Sequence, residues 1–251
     1  MTTHLVSGAS RGIGKEFITQ LLQRPDSTVI AALRTPSSAE PLESLPKAAG
    51  SKLLTVKIDS SSETDAKEAI AQLQKDHGIT RLDVVIANAG ITRDNTDAMS
   101  AIPSAFHDVM TTNVLGPLLL ATATRDLLKQ SSRPVFAVIG SVAGSIASQA
   151  QFVDFAFTSP MVPYGVSKAA VSYVVERMHL EEKWLLALNV HPGLVETETA
   201  LSTLPPGFDR AAYGALTPET SVGQMLDLIG KASREREGGK LVRFDGEILP
   251  W

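Results

Sequence analysis

The sequence predicts a doubly wound α/β domain on a parallel sheet of about seven strands, and three observations carry that expectation. Short runs rich in Val, Ile and Leu alternate with longer segments of helical pattern, the runs lack polar alternation, and the first run passes through a glycine-rich turn directly into the first helical segment.

The apolar runs are His4–Val6, Thr28–Leu33, Leu53–Ile58, Leu82–Ala87, Val135–Ile139, Leu185–Val190 and Leu241–Phe244. Unbroken apolar strands are those covered on both faces. Between them lie Gly12–Gln23, Glu63–His77, Ala101–Lys129, Val162–Lys183 and Pro218–Lys231, each long enough to cross from one strand to the next parallel one. The alternation runs the whole length, so a single domain over residues 1–251 is expected.

With 251 residues, 43% of them hydrophobic and 20% charged, the chain can bury a sizeable core. A formal charge of -4 gives no basic face for nucleic acid or an anionic membrane. Cysteine is absent, which excludes disulfides, thiol nucleophiles and cysteine metal sites and fits a reducing compartment. Met1-Thr2-Thr3-His4 leads straight into a strand without secretory features, and the longest apolar run, Val114 to Ala123, contains a Gly-Pro and is too short to span a bilayer. A cytoplasmic protein is expected. His4, His77, His107, His179 and His191 show no ligand spacing, so no catalytic metal is expected.

The turn after the first strand reads Ser7-Gly8-Ala9-Ser10-Arg11-Gly12-Ile13-Gly14. Glycines there let the backbone turn tightly and approach a pyrophosphate, whose charge faces the amides at the helix start; this is the Rossmann arrangement for a dinucleotide, the plainer reading being a strand-to-helix connection. The second strand ends Ala31-Ala32-Leu33-Arg34-Thr35, where many NAD-binding domains carry an acidic residue for the ribose 2′-hydroxyl. Arg34 stands there instead, with Arg11 as a second cation, and guanidinium groups beside the ribose favour the 2′-phosphate of NADP over NAD.

Further along, Tyr164-Gly165-Val166-Ser167-Lys168 puts a phenol and an ammonium four residues apart on one helical face. A tyrosine titrates near 10 in water, and a neighbouring cation is expected to favour the phenolate and lower that value. Tyr164 would then exchange a proton with a carbonyl or alcohol oxygen. Such a pair also arises by chance, as one core ring and one solvated charge.

Ser7 to Gly14, Asn88-Ala89-Gly90, Asn113, Ser141, Tyr164 with Lys168, and His191-Pro192-Gly193-Leu194-Val195-Glu196-Thr197 resemble, in order and spacing, the motif set of the short-chain dehydrogenase/reductases. Within that family, Glu63 to Gly90 and Tyr164 to Trp184 are similar to fungal ketoreductases of the norsolorinic-acid type and related carbonyl reductases, and Gly239 to Trp251 resembles the last strand and tail of the carbonyl-reductase branch. Two departures occur: Ser7 replaces threonine but keeps the hydroxyl, and Ala87 replaces the first asparagine of Asn-Asn-Ala-Gly, leaving Asn88 to do the binding.

The resemblance implies a catalytic set. Ser141 would offer its hydroxyl to a substrate carbonyl beside Tyr164, Lys168 would tune Tyr164 and bond the nicotinamide ribose, and Asn113 would hold a water through a local break in its helix. It also implies a cofactor set. Asp59 with Ser60 would accept from the adenine amino group, Asp59 being alternatively a helix N-cap. Asn88, Ala89 and Gly90 would pass close to the adenosine ribose. Pro192 to Thr197 would wrap the nicotinamide, with the Val195 backbone on the carboxamide and the Thr197 hydroxyl nearby. Orientation and electrostatics are then the protein's share of hydride transfer.

The expected activity is NADP(H)-linked reduction of a ketone or aldehyde, an aromatic or polyketide carbonyl among the candidates. An NADP-binding regulatory module and an NAD-linked alcohol dehydrogenase are the alternatives. A substrate loop over 142–163 carries Phe152, Phe155 and Phe157, which either line a pocket or pack the loop down. Residues 197–217, with Pro205-Pro206-Gly207, suit a lid. Relatives include both homo-oligomers and monomers, and Val171, Val174, Val175 and Met178 fit either an interface or the core.

Overall fold

The computed structural model describes residues 1–93, 97–152, 161–202, 204 and 207–251, apart from the side chains of 151 and 152. One eight-stranded sheet runs through the described residues in the order β3-β2-β1-β4-β5-β6-β7-β8. Its strands are β1 (Thr2–Ser7), β2 (Ser27–Leu33), β3 (Lys52–Lys57), β4 (Val84–Ala87), β5 (Val135–Ile139), β6 (Leu186–His191), β7 (Leu241–Arg243) and β8 (Ile248–Leu249). The first seven pair in parallel; β8 turns back and pairs antiparallel with β7. At two residues, β8 is too short for an alternation pattern to reveal.

The helices are α1 (Gly12–Leu22), α2 (Glu40–Glu43), α3 (Asp65–His77), α4 (Pro103–Met110), α5 (Gly116–Leu128), α6 (Gln149–Phe152), α7 (Val162–Glu181), α8 (Glu198–Leu201) and α9 (Pro218–Lys231). Two apolar layers sandwich the sheet. One gathers Phe17, Ile18, Leu21 and Leu22 of α1 with Val222, Met225 and Ile229 of α9; the other gathers Leu73 of α3, Leu120 of α5 and Val171 of α7. Within β1, Leu5 faces the second layer and Val6 the first, which is why the strand reads as apolar at successive positions. Side chains of this size each contribute about 1.5–3 kcal/mol when fully buried. Val171 and Val175 are buried in the second layer, and Val174 and Met178 pack partly buried against it.

Strand order reverses between β1 and β4, opening a crevice at the carboxyl ends of the strands, where ligands of such sheets bind. The helix expected over Ala101–Lys129 is divided: α4 ends at Met110, Thr111–Leu115 forms a π-type turn, and α5 follows. Pro117 explains the break, because it has no N–H to return to the carbonyl of Asn113 four residues earlier.

Candidate active site

The candidate catalytic and cofactor-binding residues, Asn113 excepted, line one cleft of about 1340 Å³ at the carboxyl edge of the sheet. Asn113 lies behind its wall, 1% exposed.

The glycine turn is built for close backbone approach. A Cβ on Gly14 would stand 2.1 Å from the Gly8 carbonyl oxygen, so α1 starts hard against the end of β1. Ser7 Oγ accepts from the amides of Asn88 and Ala89 at 3.1 Å each, and the Asn88 side chain donates back to the carbonyls of Ser7 and Gly8 at 3.0 and 3.1 Å. The Ser7 hydroxyl and the Asn88 side chain thus brace the turn from both sides at the edge of the cleft. Helix α1 has no capping side chain and no acidic residue in its first turn, so its positive end is left open to an anion.

At the adenosine end Arg34 is exposed and forms no ion pair or hydrogen bond among the described residues. Arg11 is engaged: its guanidinium meets Glu198 of α8 at 3.2 Å. Asp59 does not cap a helix. One of its oxygens accepts from the Ser61 amide and hydroxyl at 2.9 and 2.7 Å, and its own amide donates to Asp65, the first residue of α3.

Tyr164 and Lys168 share a face at the start of α7, with the ammonium 5.4 Å from the ring centroid. Lys168 is 5% exposed, donates to the Ile139 carbonyl at 2.7 Å, and is lowered by burial to a pKa of about 8. The expectation that this cation pulls the phenol down is not met. Loss of solvation raises Tyr164 above the ordinary tyrosine value, and the opposing influence is a hydrogen bond with Ser141. A raised phenol keeps its proton, as a proton donor requires.

Asn113 is saturated by protein. Its side chain exchanges hydrogen bonds with the Ile91 backbone at 2.8 and 2.9 Å and donates to Ser167 Oγ at 3.0 Å, and Ser167 in turn donates to the Tyr164 carbonyl at 2.7 Å. It thus ties the segment after β4 to the helix that carries Tyr164. On the far wall Val195 bridges Leu216, the Pro192 carbonyl accepts from Ser221, and Thr197 Oγ accepts from the Ala200 amide as the cap of α8.

Sequence reading missed Arg93, His107, Asp108, Gln149, Arg243 and Phe244 on the walls. Arg243 and Phe244 close β7, and the rule that ligands sit at strand carboxyl ends could have found them. Arg93 and Asp108 form an ion pair at 3.5 Å that no spacing announces. Phe155, Phe157 and the Phe152 side chain lie outside the described residues, as do Pro205 and Pro206. No group of three or more potential metal ligands occurs among the described residues.

Residues 2–205 match the family model described as short chain dehydrogenase. A norsolorinic acid ketoreductase of Aspergillus parasiticus is 38% identical over 259 residues, covering 100% of this chain and 91% of that protein. Another norsolorinic acid ketoreductase, from Emericella nidulans, is 36% identical over 253 residues, covering 100% and 94%. The crystal structure of an NADPH-bound carbonyl reductase from chicken fatty liver has a TM-score of 0.85 at 27% identity, covering 100% of this chain and 99% of that one. With that match over most of its length, and with the motif residues gathered around one cleft, the chain belongs to the short-chain dehydrogenase/reductase family of oxidoreductases.

Proposed function

We propose that the protein is an NADPH-dependent reductase of a ketone or aldehyde, with Tyr164 as the proton donor. The observation that carries this reading is the convergence of Ser141, Tyr164 and Lys168 at the strand ends, on the wall of the cleft that begins at the glycine turn. The NADPH in the avian carbonyl reductase and the ketoreductase names of the fungal relatives support it.

The cleft residues fit the dinucleotide: bare glycine backbone and an open helix end for the pyrophosphate, the unpaired Arg34 for the 2′-phosphate, Asp59 and Ser60 for the adenine, and the strip from Pro192 to Thr197 for the nicotinamide. Bound there, NADPH supplies a hydride to the carbonyl carbon. Ser141 orients the substrate oxygen, and Tyr164 delivers its phenolic proton to that oxygen as charge develops. The Ser141 hydroxyl, as a donor to the developing oxyanion, is worth about 10²–10³ in turnover. Lys168 holds positive charge beside the phenol and offers hydrogen bonds to the ribose. The Asn113 carbonyl, freed by Pro117, would hold the water that returns a proton to the site.

Mixing the protein with NADPH and a panel of aryl ketones should bleach the reduced-nicotinamide absorbance. Cofactor binding with no turnover on any carbonyl would overturn the reading in favour of a regulatory module. Arg34→Ala is expected to raise the Kd for NADPH about tenfold or more, the worth of one charged hydrogen bond, while leaving NADH unchanged. Equal losses for both cofactors, measured by fluorescence titration, would place the 2′-phosphate elsewhere. We place the enzyme in the cytoplasm, with a small carbonyl compound as its substrate; sedimentation tests whether it forms a homo-oligomer.

A further inference from the structure

We propose that Asn189 is a positioning residue that sets the distance between Ser141 and the Tyr164–Lys168 face of α7. This rests on the roles just assigned to those three residues.

Asn189 sits in β6, fully buried among apolar neighbours. Its amide nitrogen donates to Ser172 Oγ at 2.6 Å, and Ser172 Oγ donates to the Lys168 carbonyl at 2.8 Å. From the other side, the Lys168 ammonium donates to the carbonyl of Ile139, two residues before Ser141. Helix α7 is therefore tied to β6 by its backbone and to β5 by the tip of Lys168. Gly140 joins the two ties. A Cβ there would lie 2.0 Å from Asn189 Oδ1 and 2.7 Å from Cγ, so the asparagine amide occupies the space that any side chain at 140 would need.

Packing alone does not account for an asparagine at this point. Its Oδ1 is buried with no hydrogen-bond partner, a cost that alanine or valine would avoid. What the amide adds is a ring of contacts, from Asn189 through Ser172, Lys168, Ile139 and Gly140 back to Asn189, that encloses the attachment points of the proposed acid, its cation and the oxyanion donor. A misplacement of about 1 Å in such a constellation costs about 10²-fold in turnover.

The test is a double-mutant cycle on the full chain with Asn189→Ala, Gly140→Ala and both together. It reads kcat and KM on the aryl ketone turned over fastest, NADPH binding by fluorescence, and the melting temperature. Gly140→Ala should lose about 10²-fold in kcat while still binding NADPH. Asn189→Ala should lose about tenfold and shift the pH profile of kcat, because Lys168 moves relative to the phenol. In the double variant the new methyl fills the vacated space, and kcat should recover at least tenfold over Gly140→Ala alone.

Additive losses, or an Asn189→Ala variant that lowers only the melting temperature with kcat and its pH profile unmoved, would overturn the proposal. If Gly140→Ala alone does not fold, a double variant that also fails to fold counts against it in the same way. Tyr164→Phe is run in parallel. Should it retain full activity, the catalytic reading fails whatever the cycle shows; should it lose activity while the cycle is additive, only the role of Asn189 is lost.

Discussion

Tyr164→Phe is expected to lower kcat for carbonyl reduction by about 10²–10⁴, the range for loss of a general acid, while leaving NADPH affinity within about twofold. The ring remains and only the hydroxyl goes, so the wall of the cleft keeps its shape. Loss of solvation raises the phenol above the ordinary tyrosine value, with Ser141 hydrogen-bonded to it. Phenylalanine removes the proton and leaves Ser141 as the remaining donor to the substrate oxygen. Single-turnover measurement of NADPH oxidation with cofactor pre-bound checks this, and an unchanged rate constant would remove Tyr164 from the chemistry.

The second large effect is on acid stability. His4 and His191 are both held neutral, with pKa values lowered from the ordinary 6.5 to about 4, chiefly by burial and secondarily by Arg24 and Arg243 respectively. Because their folded values lie below the unfolded one, the unfolded chain binds more protons between pH 6.5 and 4. Stability is therefore fully present above that window and is lost as pH falls through it. Each histidine is expected to remove about 2 kcal/mol by pH 5 relative to pH 7. Together that is a substantial share of the roughly 5–15 kcal/mol that holds most domains folded. Urea midpoints at the two pH values measure the drop. His4→Gln should remove about half of it, and an equal drop in that variant would put the acid lability in other groups.

Much of the site was legible because its signals are local. The glycine turn announces itself by where it falls, between an apolar strand and a helix, and Tyr164 with Lys168 by a spacing that any helix honours. Pro117 is a local signal that the expectation of one helix over Ala101–Lys129 passed over: its missing N–H breaks the helical bonding at Asn113. What could not be read depends on enclosure or on partners far apart in the chain. The direction of the Tyr164 shift is one case, because spacing gives the neighbouring cation but not the surrounding loss of water. The Asn88 side chain is another: nothing local says that it donates to the carbonyls of residues 81 and 80 positions earlier. Nothing local marks Asn189 either, because its contacts come from β6, β5 and α7 meeting in space.

The short returning strand also bears on how the molecule behaves in a crowded solution. An open sheet offers unpaired amides and carbonyls along its two borders, and such borders recruit strands from other copies. Here one border is closed by a two-residue segment flanked by Arg243, Asp245 and Glu247, and the opposite one, β3, begins and ends in exposed lysines. Neither offers a long, flat, uncharged template, so the same architecture that concentrates its chemistry at the strand ends guards its flanks against self-templated aggregation.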